Sequence, residues 1–564
     1  MTTHSSPAWP YCAHGAGPAD PVGCRGIHVP GHTACVAHLP DTDRDTYLAG
    51  LTPGADIDHR GTPFTEGLLN QLLNAVRDPN TADPHLGDAR FEEAQFSRDS
   101  NFAGAQFFGD ALFDGARFSG VARFVGAQFS QAARFDEAQF SDAAWFVGAR
   151  FSGAALFGGA QFSSNVRFSG AYFSRNARFD GVQFLMAWEW GPVMCEGRVV
   201  LSGAVFGSPV TLEIAAKEVV CTRTRWQSTA TVRVRHASVD LGHAVLEAPL
   251  AVTAHPTPFT TSGGTLLDET VLSGSGAVRV VSVQGVDAAH LVLTDTDLSD
   301  CLFSGGFHLD QLRLEGRTTL ASTPTGWHRK GIAPVRWTRR RTLAEEHHWR
   351  AQTAGQPPVS AGTPPEPRRW RTGPHHPDPA RTPDPDDVAA LYRQLRKAFE
   401  DAKNEPGAAD FYYGECEMRR HDRTGTPTAE RRLLWAYWLL SGYGLRAGRA
   451  LGWLAAAMLA TIVLLMAFGL PAASPKQEVT GTVPPGGGTV TFVIDKQDPK
   501  NPTRDRFSSK RFDKALSVTL NSVVFRSSGQ DLTTTGTYIE MTSRILEPAL
   551  LALAVLAIRG RIKR

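Results

Sequence analysis

The chain has almost no excess charge of either sign: 58 Lys and Arg stand against 56 Asp and Glu, leaving +2 over 564 residues. That balance gives no global basic surface, so no nucleic-acid partner is expected. Cysteine is sparse, with seven residues scattered along the chain, which reads as reduced cytosolic thiols rather than a disulfide framework. Residues 1–10 hold no basic-then-apolar run, so no secretory signal is expected. No Gly-rich loop follows a strand pattern and opens a helix, and Pro484-Pro485-Gly486-Gly487-Gly488 reads as a loop, so dehydrogenase chemistry has no footing. No Ser/His/Asp set can be argued from spacing. Cys195, Cys221, Cys301 and Cys416 stand alone and read as small core residues. His347, His348, His375 and His376 have no partners at ligand spacing. A catalytic role therefore has little support.

What the chain does have is a ladder of eighteen phenylalanines, in steps of five and six residues. They are Phe91, Phe96, Phe102, Phe107, Phe113, Phe118, Phe124, Phe129, Phe135, Phe140, Phe146, Phe151, Phe157, Phe162, Phe168, Phe173, Phe179 and Phe184. A helix would turn about 140° in a step of five, placing successive rings on nearly opposite faces. The glycines among them would each cost about 1 kcal/mol against Ala in a helix. Short extended segments joined by tight corners fit better, with Phe inward and Ser-Gly, Asp-Gly or Val-Gly at the corner. A period this regular predicts a stacked repeat in which each copy buries its face on its neighbours. Each five-plus-six pair gives a period of eleven residues, and each buried Phe contributes about 1.5–3 kcal/mol before entropy.

The unit, as in Ala94-Gln95-Phe96 and Ala116-Arg117-Phe118, resembles the pentapeptide-repeat family. That resemblance implies a mainly β fold, a right-handed quadrilateral β-helix. The family centre is Leu or Phe preceded by Asp or Asn; here Gln or Arg precedes Phe, and alternate copies carry an extra residue. Some members of that family mimic DNA through an acidic face. Here acidic and basic residues nearly cancel across 88–184, and Arg117, Arg123, Arg134, Arg150, Arg167 and Arg178 recur just before Phe. A stripe of Arg on one face would suit an acidic protein or anionic lipid, against the plainer reading of a solvated face.

Residues 1–85 form a small Cys/His-containing module with a helix, 86–184 the solenoid, and 185–325 its irregular continuation. A basic segment follows at 326–354. Pro, Arg, His and Asp crowd 355–386, a composition that predicts a disordered linker. A helical hairpin over 387–424 is expected as two helices, 386–405 and 408–421, broken at Pro406-Gly407. Leu391, Leu395 and Phe399 form its apolar stripe.

Uninterrupted apolar runs are also few. The stretch 450–470 carries no charge and is long enough to cross a bilayer. Arg431, Arg432, Arg446 and Arg449 precede it, which places its N-terminal side in the cytoplasm. Residues 429–445, with Trp435, Tyr437 and Trp438, read as an interfacial helix. A second crossing over 538–558 contains Glu540, Arg544 and Glu547. Each charge there costs about 2.5–3.5 kcal/mol on insertion scales. Pairing of Arg544 with Glu540 and Glu547 at helical spacing would reduce the cost. Arg559, Arg561, Lys563 and Arg564 then anchor a cytoplasmic C-terminus. The stretch 471–511 becomes an extracytoplasmic loop, and the location an inner membrane crossed twice, with the solenoid inside.

From Leu391-Tyr392-Arg393-Gln394-Leu395 through Asp410-Phe411-Tyr412-Tyr413-Gly414-Glu415 to Ser441-Gly442-Tyr443-Gly444, the tail resembles bacterial membrane proteins with pentapeptide repeats. In many of those, two spans flank a segment like the pore loop of a two-span potassium channel. The matching stretch is 512–532. Its Arg526-Ser527-Ser528-Gly529-Gln530 departs from the Thr-Val-Gly-Tyr-Gly type of filter, so a degenerate pore loop is expected.

The N-terminal segment holds Cys12, His14, Cys24, His28, His32, Cys35 and His38. Such a set closes a tetrahedral zinc site or stays unligated. The zinc reading takes Cys12, Cys24, Cys35 and His38, with His14 or His32 as substitutes, and makes the metal a structural staple in a core-poor module. The expectation is a membrane-anchored cytoplasmic scaffold that binds a protein or lipid partner, able to homo-oligomerise through its spans. The alternative is a channel-like protein regulated by the solenoid, in which Glu547 matters for conduction.

Overall fold

The computed structural model describes residues 6–18, 20–272, 276–330, 333–357, 366–373, 383–472, 477–481, 485–486, 492–496, 499–502 and 504–562. The chain divides into two compact units, 1–411 and 412–564. The first is a β-solenoid carrying the pentapeptide repeats, with small helical elements at its ends. The second is helical.

Parallel pairing in the solenoid runs from one coil to the next at an offset of 22 residues, as in Gln128↔Arg150, Ala122↔Ala144 and Gln139↔Gln161. The phenylalanines form four internal columns, one per side. Phe113, Phe135 and Phe157 stack at 4.9 and 5.0 Å, and Phe118, Phe140 and Phe162 at 4.7 Å. Phe124, Phe146 and Phe168 stack at 5.0 and 4.9 Å, and Phe129, Phe151 and Phe173 at 4.7 and 4.8 Å. Opposite columns meet edge to face across the interior, as at Phe113–Phe124, 5.6 Å and 85°. Both geometries place an electron-poor ring edge near an electron-rich face. The rings and the Ala two positions before them, such as Ala111 and Ala116, are buried.

The alternating step comes from two different corners. In the short corner the Ala116 N–H donates to Phe113 O at 3.1 Å, and this bond recurs every eleven residues. Its third residue is left-handed, with φ from 57° at Glu93 and Glu137 to 72° at Gly170, which is why Gly dominates there. In three of the long corners an Asp side chain bonds the next coil. Asp88 Oδ1 accepts the Asp110 N–H, Asp110 Oδ1 the Ala132 N–H, and Asp99 Oδ1 the Val121 N–H. Each carboxylate thus satisfies an amide one coil further along.

Several boundaries differ from the sequence reading. The solenoid begins before residue 86: Ile57↔Ala89 and Phe64↔Phe96 are already in register. The repeat is hidden there because helix α2, Glu66–Ala75, is inserted within that coil; helix α1, Asp41–Ala49, precedes it. Leu68, Leu69, Leu72 and Leu73 form its buried stripe, and Thr65 caps its N-terminus. After Phe184 the coil contracts, with Phe206↔Trp226 and Trp226↔Leu246 at twenty-residue offsets. A strap over 255–272 folds back on one side. Phe259 and Leu272 pack with Met194 and Ala215, and the buried Glu269 accepts from Arg235 Nε at 2.6 Å.

The six arginines do not make a stripe. Arg117 lies on one ladder, Arg123 and Arg167 on a second, Arg134 and Arg178 on a third, and Arg150 on the fourth. Only 123 with 167 and 134 with 178 are separated by a multiple of 22, so the six spread round the perimeter. Arg123, Arg134 and Arg178 pair with Asp99, Asp114 and Asp180.

The segment expected as merely basic, 326–354, contains helix α3, Ala344–Thr353. Glu346 is fully buried and takes both carboxylate oxygens to Arg340 Nη2 at 2.6 Å, with Arg350 Nε at 2.7 Å and the Tyr392 hydroxyl at 2.6 Å. Tyr392 belongs to helix α4, Pro385–Asp401. Arg350 sits 4.9 Å from the rings of both Trp337 and Trp370. Trp370 is buried, so 370–373 of the proposed linker is packed while 366–369 is exposed; 358–365 and 374–382 lie outside the described residues. Helix α5, Glu405–His421, contains Pro406 and Gly407 within its first turn rather than ending before them, because proline is tolerated where the amide has no helical acceptor.

In the second unit, helix α6 is Thr428–Ser441 and helix α7 Ala447–Leu464, prolonged by a π turn over Leu465–Gly469. Helix α8 is Ser509–Val523 and helix α9 Thr534–Ile562. Two stretches, Ala447–Gly469 and Thr534–Arg559, are long and apolar enough to cross a membrane. Much of the expected loop 471–511 lies outside the described residues; Gln477–Gly481 pairs with Phe492–Lys496 in a hairpin.

Phe135→Ala in mid-column is expected to cost about 3–5 kcal/mol, with Gln139→Ala on the outer face near neutral. Thermal melts of both variants check this; similar small losses would show that the stack is not the core. A second prediction concerns Glu345, whose Oε1 accepts the Phe303 and Ser304 N–H groups. Burial pushes its carboxyl up to about 7. An acid raised on folding loses stabilising effect as pH rises from its unfolded value to its folded one. Glu345→Gln keeps the acceptor and removes the titration. The variant should gain stability on wild type between about pH 4.5 and 7, read as a difference in melting midpoint; a gap constant with pH would sink the assignment.

Candidate metal centre

The N-terminal segment is too poor in apolar residues to fold on a core, and it is organised around sulfur instead. A hairpin forms through Tyr11↔Ile27, with Cys12 N–H donating to Gly26 O and Ala13 N–H to Cys24 O, both at 2.8 Å. This brings Cys12 and Cys24 side by side. The chain then turns so that His38 and Leu39 N–H groups donate to Cys35 O, which aims Cys35 and His38 at the same point. Gly26 is required for the approach: a Cβ there would lie 2.7 Å from Cys35 Cβ.

Cys12, Cys24, Cys35 and His38 offer ligand atoms that all lie within 4.8 Å of one another. Cys24 Sγ is 3.7 Å from Cys35 Sγ. His38 Nδ1 is 3.5 Å from Cys12 Sγ and 3.4 Å from Cys35 Sγ. Zinc bonds of about 2.3 Å to sulfur and 2.0–2.1 Å to nitrogen give tetrahedral edges of about 3.8 Å (S–S) and 3.5 Å (S–N). The contacts match those edges. This group could therefore hold a metal such as zinc. The two substitutes lie elsewhere: His14 stacks on the His38 ring at 4.1 Å, and His32 faces Asp43 at 3.9 Å.

Outer contacts also suit thiolate ligands. The Gly26 N–H approaches Cys24 Sγ at 3.4 Å, and the Ala37 N–H bonds Cys35. The Cys35 thiol donates to Cys24 and, with His38 nearby, holds Cys24 well below the usual thiol range. Cys35 is pushed upward by the same bond and by burial. Such donors to sulfur support a metal-bound thiolate. The module meets the first solenoid coil through the Ile27 N–H and Arg60 O at 2.8 Å, and through Gly61, whose absent Cβ would come 2.4 Å from Arg25 O. Trp9 donates to Arg25 O and lies under Arg60. Spacing could not show these docking contacts, because they join the module to a coil with no visible repeat.

Cys195, Cys221, Cys301 and Cys416, read from the sequence as small core residues, are buried. His347 Nε2 bonds Thr342 Oγ1 at 2.8 Å within the α3 packing, and His375 and His376 lie outside the described residues. In the second unit Arg544 pairs with Glu540 at 2.7 Å. The expected Arg544–Glu547 pair is absent from the ion pairs of the described residues. Glu547 instead turns toward α7, is fully buried, and accepts from Thr461 Oγ1 at 2.9 Å. The stretch expected to resemble a pore loop is α8 and the turn after it, where Ser528 contacts Glu540. Within the second unit, Tyr413 and Glu417 meet the Ser441–Gly444 turn: Tyr443, buried, donates to Glu417 and stacks edge-on to Tyr413.

One zinc per chain is expected in protein purified without chelator, measured by elemental analysis. Cys35→Ser should lower it to a trace and lower the melting midpoint of the solenoid unit. Native protein that takes up no zinc and has three freely reactive N-terminal thiols would end the reading.

A family model described as Pentapeptide repeats (9 copies) matches residues 113–160 and 146–186. No curated protein and no solved structure matches the chain. The matched stretch is the middle of the Phe columns, so this part of the solenoid is built of pentapeptide repeats.

Proposed function

We propose that the protein is a membrane-anchored, non-catalytic scaffold whose solenoid presents its outer faces to a protein or lipid partner. The observation that carries this is the pattern of exposure on the two long helices. Leu459 and Val463 of α7 and Ile545, Leu546 and Leu556 of α9 are exposed large apolar residues. Other residues of the same helices pack together, with Ile462, Leu465, Met466 and Leu470 joined by Ala515 and Val518 of α8. A Cβ on Gly536 would come 2.3 Å from Gly469 O, so backbones approach as small residues allow. An exposed apolar surface of that kind needs lipid or another chain.

The solenoid supplies the scaffold half. Its interior is filled by rings and alanines, and side-chain networks occupy both ends, so its outer ladders remain as the working surface. Zinc at Cys12, Cys24, Cys35 and His38 is structural in this reading. The basic residues before α7 and at the end of α9 favour a bacterial inner membrane, with both termini in the cytoplasm. The spans would also be the place for homo-oligomers. The channel-like alternative would show as ion flux through liposomes that differs between wild type and Glu547→Gln.

The membrane half is tested by placing charge on the outward face while leaving the packed face alone. Leu459→Arg with Val463→Arg puts two guanidinium groups where each costs about 2.5–3.5 kcal/mol on insertion. Wild type should stay with alkaline-carbonate-washed membranes and the double variant should leave them. Wild type that washes off would overturn anchoring.

A further inference from the structure

The four donors of the metal centre do not face solvent equally. Cys35 is fully buried, whereas Cys12 and Cys24 are only partly covered. Cys24 is therefore open to a small oxidant and has a second sulfur directly behind it, 3.7 Å away. Bringing the two to a disulfide length of about 2.05 Å closes the gap by about 1.7 Å. One lies on the N-terminal hairpin and the other in the turn that ends at His38.

We propose that Cys24 and Cys35 are a peroxide-sensitive pair whose oxidation releases the zinc, a step that rests on the zinc reading above. The Cys24 thiolate attacks one oxygen of hydrogen peroxide, forming sulfenic acid and releasing hydroxide. The Cys35 thiolate then attacks the Cys24 sulfur, forms the S–S bond and displaces a second hydroxide. The two sulfurs give up two electrons, the peroxide takes them, and two protons from solvent complete two waters. The zinc loses two of its four ligands. Cys12 and His38 remain, too few to keep a structural ion that takes four, and Zn2+ passes to solvent. The new bond still ties the hairpin to the 35–38 turn. Oxidation thus exchanges a metal tie for a covalent one and frees the Cys12 arm from its sulfur anchor.

The geometry also sets the specificity. Cys195, Cys221, Cys301 and Cys416 are all buried, so peroxide meets the N-terminal cluster first. Within the cluster, the buried Cys35 is reached only through its neighbour.

The test uses full-length protein in detergent, with zinc content measured before oxidant is added. Hydrogen peroxide is then added in the presence of a chromogenic zinc chelator, and the products are mapped by peptide mass. The expected result is release of one zinc per chain together with a Cys24–Cys35 link, reversed by dithiothreitol and added zinc. A Cys12→Ser variant should still form that link, since Cys12 takes no part in it. Zinc retained in peroxide would overturn the proposal, as would release with a link to Cys12 or with sulfinic acids and no link. Protein that holds no zinc at the outset overturns the parent reading instead, and the initial measurement separates the two failures.

Discussion

Ring stacking along the solenoid axis is the constraint on which the first unit depends. A Phe in one coil must lie over a Phe in the next, and parallel backbone pairing holds coils about 4.8 Å apart. Ring centroids at 4.7–5.0 Å, as between Phe118 and Phe140 or Phe124 and Phe146, satisfy both demands at once. Everything else in the coil serves that registration. Ala keeps the space beside each ring small. A left-handed residue turns the short corner, and an Asp carboxylate supports three of the long ones.

The repeat was legible because its period is written in one residue type. The eleven-residue period follows from the Phe spacing alone, and the 22-residue coil from adding the four-sided fold that the pentapeptide resemblance implies. The boundaries were not legible, for identifiable reasons. Helix α2 interrupts the first coil, so Phe64 stands thirty-two residues before its stacking partner Phe96. Beyond Phe184 the stacking position is filled by Phe206, Trp226 and Leu246 on a shorter coil, and the pattern dissolves while the ladder persists. The Arg stripe failed because a residue before Phe falls on whichever side that Phe occupies. The cluster of Cys12, Cys24, Cys35 and His38 could be guessed from composition, but its edges and the rejection of His14 and His32 needed three dimensions.

Both ends of the solenoid are closed by chemistry other than its own repeat. At the start, sulfur and imidazole gather where apolar residues are too few. At the far end, a buried carboxylate, two guanidinium groups, a phenol and two indoles gather around Glu346. That carboxylate is held well below the usual range by Arg340 and Arg350 despite complete burial, since two cations and a hydroxyl replace the lost water. Terminal coils of a stacked fold expose unpaired strands, which invite further chains to add on. A polar, directional network at one end and a metal-sized cluster at the other meet that hazard without extending the hydrophobic stack.

The 22-residue offset also makes the solenoid a ruler with discrete graduations. Each whole coil gained or lost changes its length by about 4.8 Å and leaves every other ring where it was. A gain or loss of one residue within a strand would instead turn the following side chains inside out, whereas the corners absorb changes, as the inserted helix α2 and the twenty-residue coils after Phe184 show. Any surface that must match a spacing on a partner is set by a count of coils, not by the fine composition of any one of them.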